Sequence, residues 1–590
     1  VVFSNKSKEE WLETLKAQRV KRNRYFLIKK SIRNDQLARI KKFPIFNLGK
    51  YAGGLIVLKD NKRVKPYGVL AARTIGYTKE KDSIYVGLEG AFNDALKGQD
   101  GEMLMERIRG NEWKPIESEF SREPIPGCDV YSSIDVNIQD VAEDALLKQL
   151  KNQKALRGCV VLMEVKTGFI KAIANLTQSK DELKYYESLN HAVGLASEPG
   201  STFKLASLMV AIDDGKIKIT DSVNMSGSYR YYKKYVLDDG NKVYGKNTIQ
   251  CAFEKSSNII SQIIDNNYKE DPQKFIDGIK RIGLHKKLGL PIVGEGKPLI
   301  KDADHPMFSG ISLPWMSIGY EVEITPLQTL AFYNAVANDG VMVKPQFVKQ
   351  IRFGNEVKQS FESEVINPKI CKASTLKDVR QMLKGVVERG TAKNIKARGF
   401  DIAGKTGTSK IAKGSKGYGT KYQASFCGYF PADDPMYSCI VVIQGPTNNI
   451  YGSVVSGTVF KEIADKVYAL GNMENKEMKM EDLYYPFSKH GVKEDFVLAS
   501  SKMKIPIKKE VGVGRWVHTT ATEEGVKVKN RRVVNDKIPN VIGMGLNDAL
   551  YLLEDQGLQV KVNGSGFVRN QSINPGETII RGQLITIDLS

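Results

Sequence analysis

Two stretches of the chain carry the same triplet: "EVKTGF" at 164–169 and "GKTGTS" at 404–409. Lys-Thr-Gly serves either as one wall of a catalytic cleft or as a turn between strands. A third stretch, "SEPGSTFKLASLMVAIDDG" at 197–215, sets Ser201 and Lys204 three residues apart, just after a Pro-Gly break. The residues that come after them are apolar nearly all round, which reads as a buried helix. Positions i and i+3 share a helix face. Serine is a weak nucleophile until a base takes its proton. A desolvated lysine one turn away can lose its own proton and serve as that base. The helix N-terminus favours the negative charge that then develops. A capping serine beside a surface lysine gives the same short pattern. In "FEKSSNII" at 253–260, Ser256 and Asn258 lie in a polar break between helical segments. A hydroxyl there could relay a proton to a leaving amine, and an amide could hold a substrate backbone. Alone this piece is weak, and a helix cap is its simpler reading.

Order separates the two triplets. Lys166-Thr167-Gly168 precedes Ser201 and fits a tight turn, with Gly168 supplying turn geometry. Lys405-Thr406-Gly407-Thr408 comes after both other motifs, on a strand where a glycine lets a substrate backbone come close. Ser256 comes 55 residues after Ser201, and Lys405 a further 149 after Ser256. S-x-x-K, S-D-N and K-T-G, in this order, form the set of the penicillin-recognising serine enzymes. Three motifs that are weak singly become specific when they fall in order within one domain-sized span.

The elements that must position them emerge from periodicity. Ile138, Val141, Ala142, Ala145, Leu146 and Leu150 recur at helical spacing. "GCVVLMEV" and "FIKAIANL" read as strands joined at Lys166-Thr167-Gly168. Helical segments dominate from about 200 to 390, and strands return in "FDIAGKTGTS", "YQASFCGYF" and "YSCIVVIQ". A strand pair, a helical insertion and further strands predict an α+β domain whose sheet closes late in the sequence. Residues 471–536 are charged and weakly periodic and read as a linker with some structure of its own. In 537–590, Leu546, Ala549, Leu550 and Leu553 share one helical face of a small unit.

Composition narrows the class. A chain of 590 residues with 41% hydrophobic and 26% charged residues is multidomain and globular. No run of 18 apolar residues marks a membrane span. The first residue is Val rather than Met, so an anchoring segment is expected upstream of Val1. The net charge of +21 comes from scattered basic residues without an RRM, helix-turn-helix or zinc-finger signature, which argues against nucleic acid. Solubility, or attraction to an anionic envelope, accounts for the charge. Six cysteines show no CxxC, although Cys427 and Cys439 flank a hairpin and could pair. Five histidines without ligand spacing argue against a metal site, and nothing calls for a cofactor.

With these motifs the chain resembles a class B penicillin-binding protein, a monofunctional D,D-transpeptidase. "SIDVNIQDVAEDAL" resembles the opening of that transpeptidase domain, "MSIGYEVEITPLQTLAFYNAVANDG" its helix-rich segment and "SFCGYFPADDP" its late strand pair. "LAARTIGY" and "VGLEGAFNDALKGQDG" resemble the family's N-terminal pedestal. "IPNVIGMGLNDALYLLEDQGL" with "NPGETIIRGQLITIDL" looks like one PASTA domain. The combination resembles the division-specific septal branch of Bacteroidetes-like bacteria. The resemblance implies a multidomain α+β fold: pedestal 1–127, a serine β-lactamase-like transpeptidase domain 128–470 with an antiparallel sheet and helical subdomain, linker 471–536, and an α/β PASTA domain 537–590. It implies that Ser201 attacks the penultimate D-Ala carbonyl of a stem pentapeptide and Lys204 takes its proton. Ser256, Asn258 and Lys405 would handle the leaving D-Ala, the Ser201 and Thr408 N–H groups would form the oxyanion hole, and Thr406, Gly407 and Thr408 would hold substrate. β-Lactams would trap Ser201. Partners implied are stem peptides, a membrane glycosyltransferase and division regulators, on the periplasmic side of the inner membrane. The middle residue of the second motif is Ser257 rather than Asp. A D,D-carboxypeptidase or β-lactam hydrolase shares these motifs and differs in using water for the second half-reaction. A β-lactam sensor or scaffold would keep only the fold.

Overall fold

The computed structural model describes residues 7–23, 26–30, 32, 34–48, 52–57, 63–79, 82–108, 112–115, 122–181, 184–412, 417–469, 491–503, 505–509, 514–522, 525–531 and 533–590. The chain divides into two compact units, 1–470 and 471–590.

The first unit opens with thinly packed elements. The helix Lys8–Val20 starts at a capping box made by Ser7 and Glu10 and buries none of its residues. Further on, Tyr77–Lys79 pairs with Ile84–Val86, and Arg63 pairs with Glu89 at 2.5 Å. A backbone donor ties this part to the later chain: Arg73 N–H donates to Glu187 at 2.7 Å.

The core of the first unit is a six-stranded antiparallel sheet. Helix α1 (Val136–Gln153), capped by Asp135, buries Ala142, Ala145, Leu146 and Leu150. Ile138 and Val141 pack partly buried beside them, as their spacing predicts. Strands β1 (Arg157–Glu164), β2 (Ile170–Gln178) and β3 (Tyr185–Tyr186) come next. Helix α2 (Lys204–Asp213) leads into a hairpin of β4 (Ser228–Tyr231) and β5 (Lys234–Leu237). Helices α3 (Ile249–Glu254), α4 (Ile259–Tyr268) and α5 (Pro326–Ala337) succeed it. Strands β6 (Ala403–Ala412), β7 (Tyr418–Phe430) and β8 (Tyr437–Gln444) return to the sheet, and α6 (Gly457–Ala469) closes the unit.

The strand order is β6-β7-β8-β1-β2-β3, so the late strands insert beside β1 and leave β6 at an edge. The sheet does close late, by pairing Val441 with Val160 and Cys439 with Leu162. Residues 423–430 and 438–444 are buried without alternation. Neighbouring strand residues point to opposite faces, so both faces are covered. Helices α1 and α6 pack together, α1 also lies against β2, and α5 lies against β7 and β8. Cys427 and Cys439 are free buried thiols on adjacent strands. The region between 200 and 390 holds more hairpins than its helical character suggests, since short alternating strands lack a long apolar run to mark them.

The second unit corrects the linker expectation for 471–536. Residues 471–490 lie outside the described residues. Residues 491–530 form a helix (Lys493–Lys502) and strands Ile507–Lys509, Trp516–Thr522 and Gly525–Asn530, with a short strand Gly491–Val492 paired to the second. The first strand runs parallel to the third and the second antiparallel to it. Residues 537–590 repeat this order: helix Leu546–Asp555, then Gln559–Gly564, Val568–Gln571 and Leu584–Leu589, with the same parallel and antiparallel pairing. Trp516 packs into the core of the second repeat with Val541, Leu553 and Ile587. In that helix Leu552 is buried with Ala549 and Leu553, while Leu550 is only half buried.

Candidate active site

The turn that carries Ser201 is built by residues that break a helix. Gly200 adopts φ +59°, and residues Gly200–Thr202 form a 3-10 turn before α2 starts at Lys204. The serine therefore precedes the helix proper, contrary to a simple helix start. Lys204, three residues on, is the first residue of α2. The turn is clamped on several sides. Gly200 N–H donates to Gly319 O at 3.1 Å, Thr202 Oγ1 to Pro199 O at 2.9 Å, and Tyr333 Oη to Thr202 O at 2.8 Å. Gly319 sits at φ +86°, and a Cβ there would fall 2.1 Å from Gly200 O. The Ser201 hydroxyl, half buried, has no hydrogen-bond partner among the described residues.

Lys204 is fully buried at the first position of α2. Its Nζ donates to Ser256 O at 2.7 Å and Ser257 O at 3.2 Å. Burial pulls its ammonium down to about 7, opposed by the Asp238 carboxylate. A neutral amine has two N–H donors, and two carbonyls take them. Its lone pair is then free to accept a proton.

The second motif occupies the break between α3 and α4. Ser256 stands at φ +57°, a left-handed conformation that a side-chain-bearing residue adopts at a cost. Its Oγ accepts from Lys405 Nζ at 2.7 Å. The side chain of Asn258 is anchored on one donor: Nδ2 donates to Leu237 O on β5 at 2.7 Å.

The third motif lies on edge strand β6. An edge strand keeps alternate N–H groups unpaired on its outer side. Lys405 is fully buried, donates also to Thr406 O at 3.1 Å, and is pushed well below the usual lysine range by burial and by the neighbouring Lys204. Thr406 is nearly buried and its hydroxyl pairs with that of Thr391 at 2.8 Å. Thr408 is half buried, and its Oγ1 accepts from Gly452 N–H at 3.2 Å. Gly407 admits a neighbour from the protein itself. A Cβ there would lie 2.2 Å from Ser425 Oγ and 3.2 Å from Thr202 Cγ2, so the missing side chain lets the Ser201 turn pack on β6. The other triplet, at 166–168, is a turn: Gly168 takes φ +75°, its N–H donates to Glu164 O at 3.0 Å, and Lys166 is exposed.

The structure thus joins Lys204, Ser256 and Lys405 by hydrogen bonds, with Ser201 three residues before Lys204 on the adjoining turn. Sequence reasoning missed Asp238 and Tyr229, which bond Ser257, Thr391, which bonds Thr406, and Tyr333, which bonds Thr202 O, so that each holds a neighbour of these residues. The alternation of Tyr229 and Tyr231 was the one available signal for the β4–β5 hairpin.

Comparison with known proteins fits this arrangement. Residues 158–465 match the model for the penicillin-binding protein transpeptidase domain. The chain belongs to the penicillin-binding protein transpeptidase family. Residues 2–132 match the penicillin-binding protein dimerisation domain and 536–590 the PASTA domain, which makes it a class B penicillin-binding protein, a serine-type D,D-transpeptidase by family. It is 30% identical over 416 residues to the probable peptidoglycan D,D-transpeptidase PenA of Neisseria gonorrhoeae, covering 69% of this chain and 68% of that one. It is 24% identical to stage V sporulation protein D of Bacillus subtilis over 91% of this chain and 77% of that one. Penicillin Binding Protein 2X from Streptococcus thermophilus shares the fold at TM-score 0.59 and 20% identity, over 89% of this chain and 82% of that one. The D,D-transpeptidase domain of a peptidoglycan glycosyltransferase from Eggerthella lenta aligns at TM-score 0.57 and 25% identity, over 70% and 94% of the two chains.

Proposed function

We propose that the chain cross-links peptidoglycan stem peptides through an acyl-enzyme on Ser201. The observation that supports this most is the convergence on Ser256: Lys204 bonds its carbonyl and Lys405 its hydroxyl, with Lys204 one turn from Ser201. Ser201 Oγ attacks the penultimate D-Ala carbonyl as Lys204 Nζ takes its proton. The Ser201 and Thr408 N–H groups hold the oxyanion, an interaction typically worth about 3 kcal/mol of barrier per donor. As the tetrahedral intermediate collapses, the proton passes through Ser256 Oγ to the departing D-Ala amine. Lys405 keeps that hydroxyl oriented. Thr408, with Lys405 and Thr406 near it, holds the terminal carboxylate, and Asn258 holds the turn on its side of the cleft. An amine of a second stem peptide then attacks the acyl-enzyme and restores Ser201. A β-lactam enters the same first step, and its ring-opened acyl group stays on Ser201.

The domain plan is that of the family: a pedestal over 1–127, a transpeptidase domain over 128–470 and a PASTA domain over 537–590. The stage V sporulation protein and a relative named FtsI from Buchnera aphidicola favour a role in septal wall synthesis. Partners on that reading are a membrane glycosyltransferase and division regulators, with the protein working at the periplasmic face of the inner membrane. No helix among the described residues is long and apolar enough to cross a membrane.

The test supplies the purified protein with a stem pentapeptide and an amine acceptor. Cross-linked dimer with stoichiometric D-Ala release is the expected result. D-Ala release with hydrolysed tetrapeptide alone, at any acceptor concentration, would overturn transpeptidation in favour of a carboxypeptidase.

A further inference from the structure

The second motif, Ser256-Ser257-Asn258, carries no charge of its own, yet a carboxylate reaches it from another element. Asp238 comes directly after the β4–β5 hairpin and is nearly buried. Its Oδ2 accepts from Ser257 Oγ at 2.7 Å and from Tyr229 Oη at 3.2 Å, and its Oδ1 accepts the backbone N–H of Asn258. Its own N–H is fixed to Gly227 O at 2.8 Å, so the carboxylate is held from behind. One residue earlier, Leu237 O takes the Asn258 amide. The hairpin thus grips the turn at side chain and backbone alike. That turn contains the left-handed Ser256, and its carbonyls are the acceptors of Lys204.

We propose that Asp238 is a positioning residue for acylation: it locks the Ser256–Asn258 turn and acts electrostatically on Lys204. The inference rests on the reading of Lys204 as general base. Two lysines and one carboxylate meet at this turn. Lys204 disfavours the charged form of Lys405, and Asp238 favours that of Lys204. Tyr229 faces Asp238 as a neutral donor. Glu254, at the end of α3, is taken by Arg389 at 2.6 Å. Asp239, next along the chain, points to solvent, where it meets Lys242 at 3.8 Å and Tyr451 Oη at 3.3 Å. In this balance Asp238 keeps Lys204 from losing its proton too readily, so that Lys204 remains a base strong enough to take the proton from Ser201.

The experiment measures the second-order acylation rate with a fluorescent penicillin from pH 5 to 9, with the melting temperature, for Asp238→Asn, Asp238→Ala and Lys204→Ala. Asp238→Asn removes the charge that raises the Lys204 ammonium. Its acidic limb should therefore move about one unit to lower pH. Its plateau should fall about tenfold or more as the turn loosens. Asp238→Ala should lose more at the plateau and show the same shift. Lys204→Ala should not acylate. An Asp238→Asn profile identical to that of the unmodified chain, with Lys204→Ala inactive, overturns the proposal alone. So does a rate loss that merely tracks a lower melting temperature with an unmoved limb. Normal acylation by Lys204→Ala overturns the base assignment itself and the Asp238 inference with it.

Discussion

Two lysine side chains, both fully enclosed, meet at Ser256, and an enclosed ammonium is expensive unless it is neutralised or paired. The Asp238 carboxylate cannot offset both, so the cost is met by lowering proton affinity. For Lys204 this has a direct kinetic consequence. As the proposed base it acts once it has lost its proton, and burial brings it down to about 7. Acylation by a penicillin should therefore rise with pH through about 7 and level off above it. A rate that stays flat from mildly acidic to mildly alkaline pH would exclude Lys204 as the base. The two Lys-Thr-Gly copies part company on the same physics. Lys405 is enclosed and bonded to Ser256 Oγ, whereas Lys166 is exposed on a turn. Lys405→Ala should slow acylation about a hundredfold or more, in line with the loss of a general acid–base network. Lys166→Ala should leave the rate within about twofold, because a substitution on an exposed turn disturbs nothing in the cleft. Rate constants from stopped-flow quenching decide it, and equal impairment of both variants would contradict the assignment of Lys405 to the cleft.

Between elements, the site depends on two glycine contacts. Gly319 and Gly407 bring the 316–320 segment and strand β6 against the Ser201 turn. Gly319→Ala places a Cβ against Gly200 O at a position with φ +86°, so both space and backbone forbid it. Overpacking of this kind costs about 1–3 kcal/mol. The melting temperature should fall, and the acylation rate should fall further than unfolding explains, because the displaced turn carries Ser201, the proposed nucleophile. An unchanged rate in the surviving folded protein would show that the turn is not held by this contact. These elements also explain what was legible in the sequence. The three motifs are readable because each is a local pattern of reactive types, and their order excludes the copy at 166–168. Helix α1 and the sheet strands are readable because long buried elements leave long apolar patterns. The hold of Asp238 on Ser257 and Asn258 is not, because it links residues 19 and 20 apart through a short hairpin with no apolar run. The inward-facing side of Gly407 escapes the sequence for a related reason: a glycine states that something comes close, without saying whether it is substrate or protein.

In the whole molecule, the second unit contributes none of the motif residues. Its two repeats share a core through Trp516, so the natural place to cut is 470 rather than 536. A chain ending at 470 should acylate within about threefold of the full chain, since no group in the cleft is removed. A chain ending at 536 should keep that rate too but lose solubility, because Trp516 and its apolar neighbours are laid bare. Acylation rate and light scattering on the two truncations separate these effects, and a large rate loss at 470 with an unchanged melting transition would mean that the second unit reaches the cleft. The charged strands of 491–530 read as a linker in the sequence because a small sheet of short strands buries too few residues to leave an apolar signature. On the proposed mechanism the chemistry of the first unit turns on a single atom, Ser201 Oγ, and covalent trapping reports on it directly. The full chain is incubated with a labelled penicillin, digested, and the adduct located and timed by mass spectrometry, with Ser201→Ala as the control. A single long-lived adduct is expected on the peptide bearing Ser201, absent from the folded Ser201→Ala protein. An adduct on another residue, undiminished labelling of Ser201→Ala, or rapid release of hydrolysed penicillin would refute the assignment.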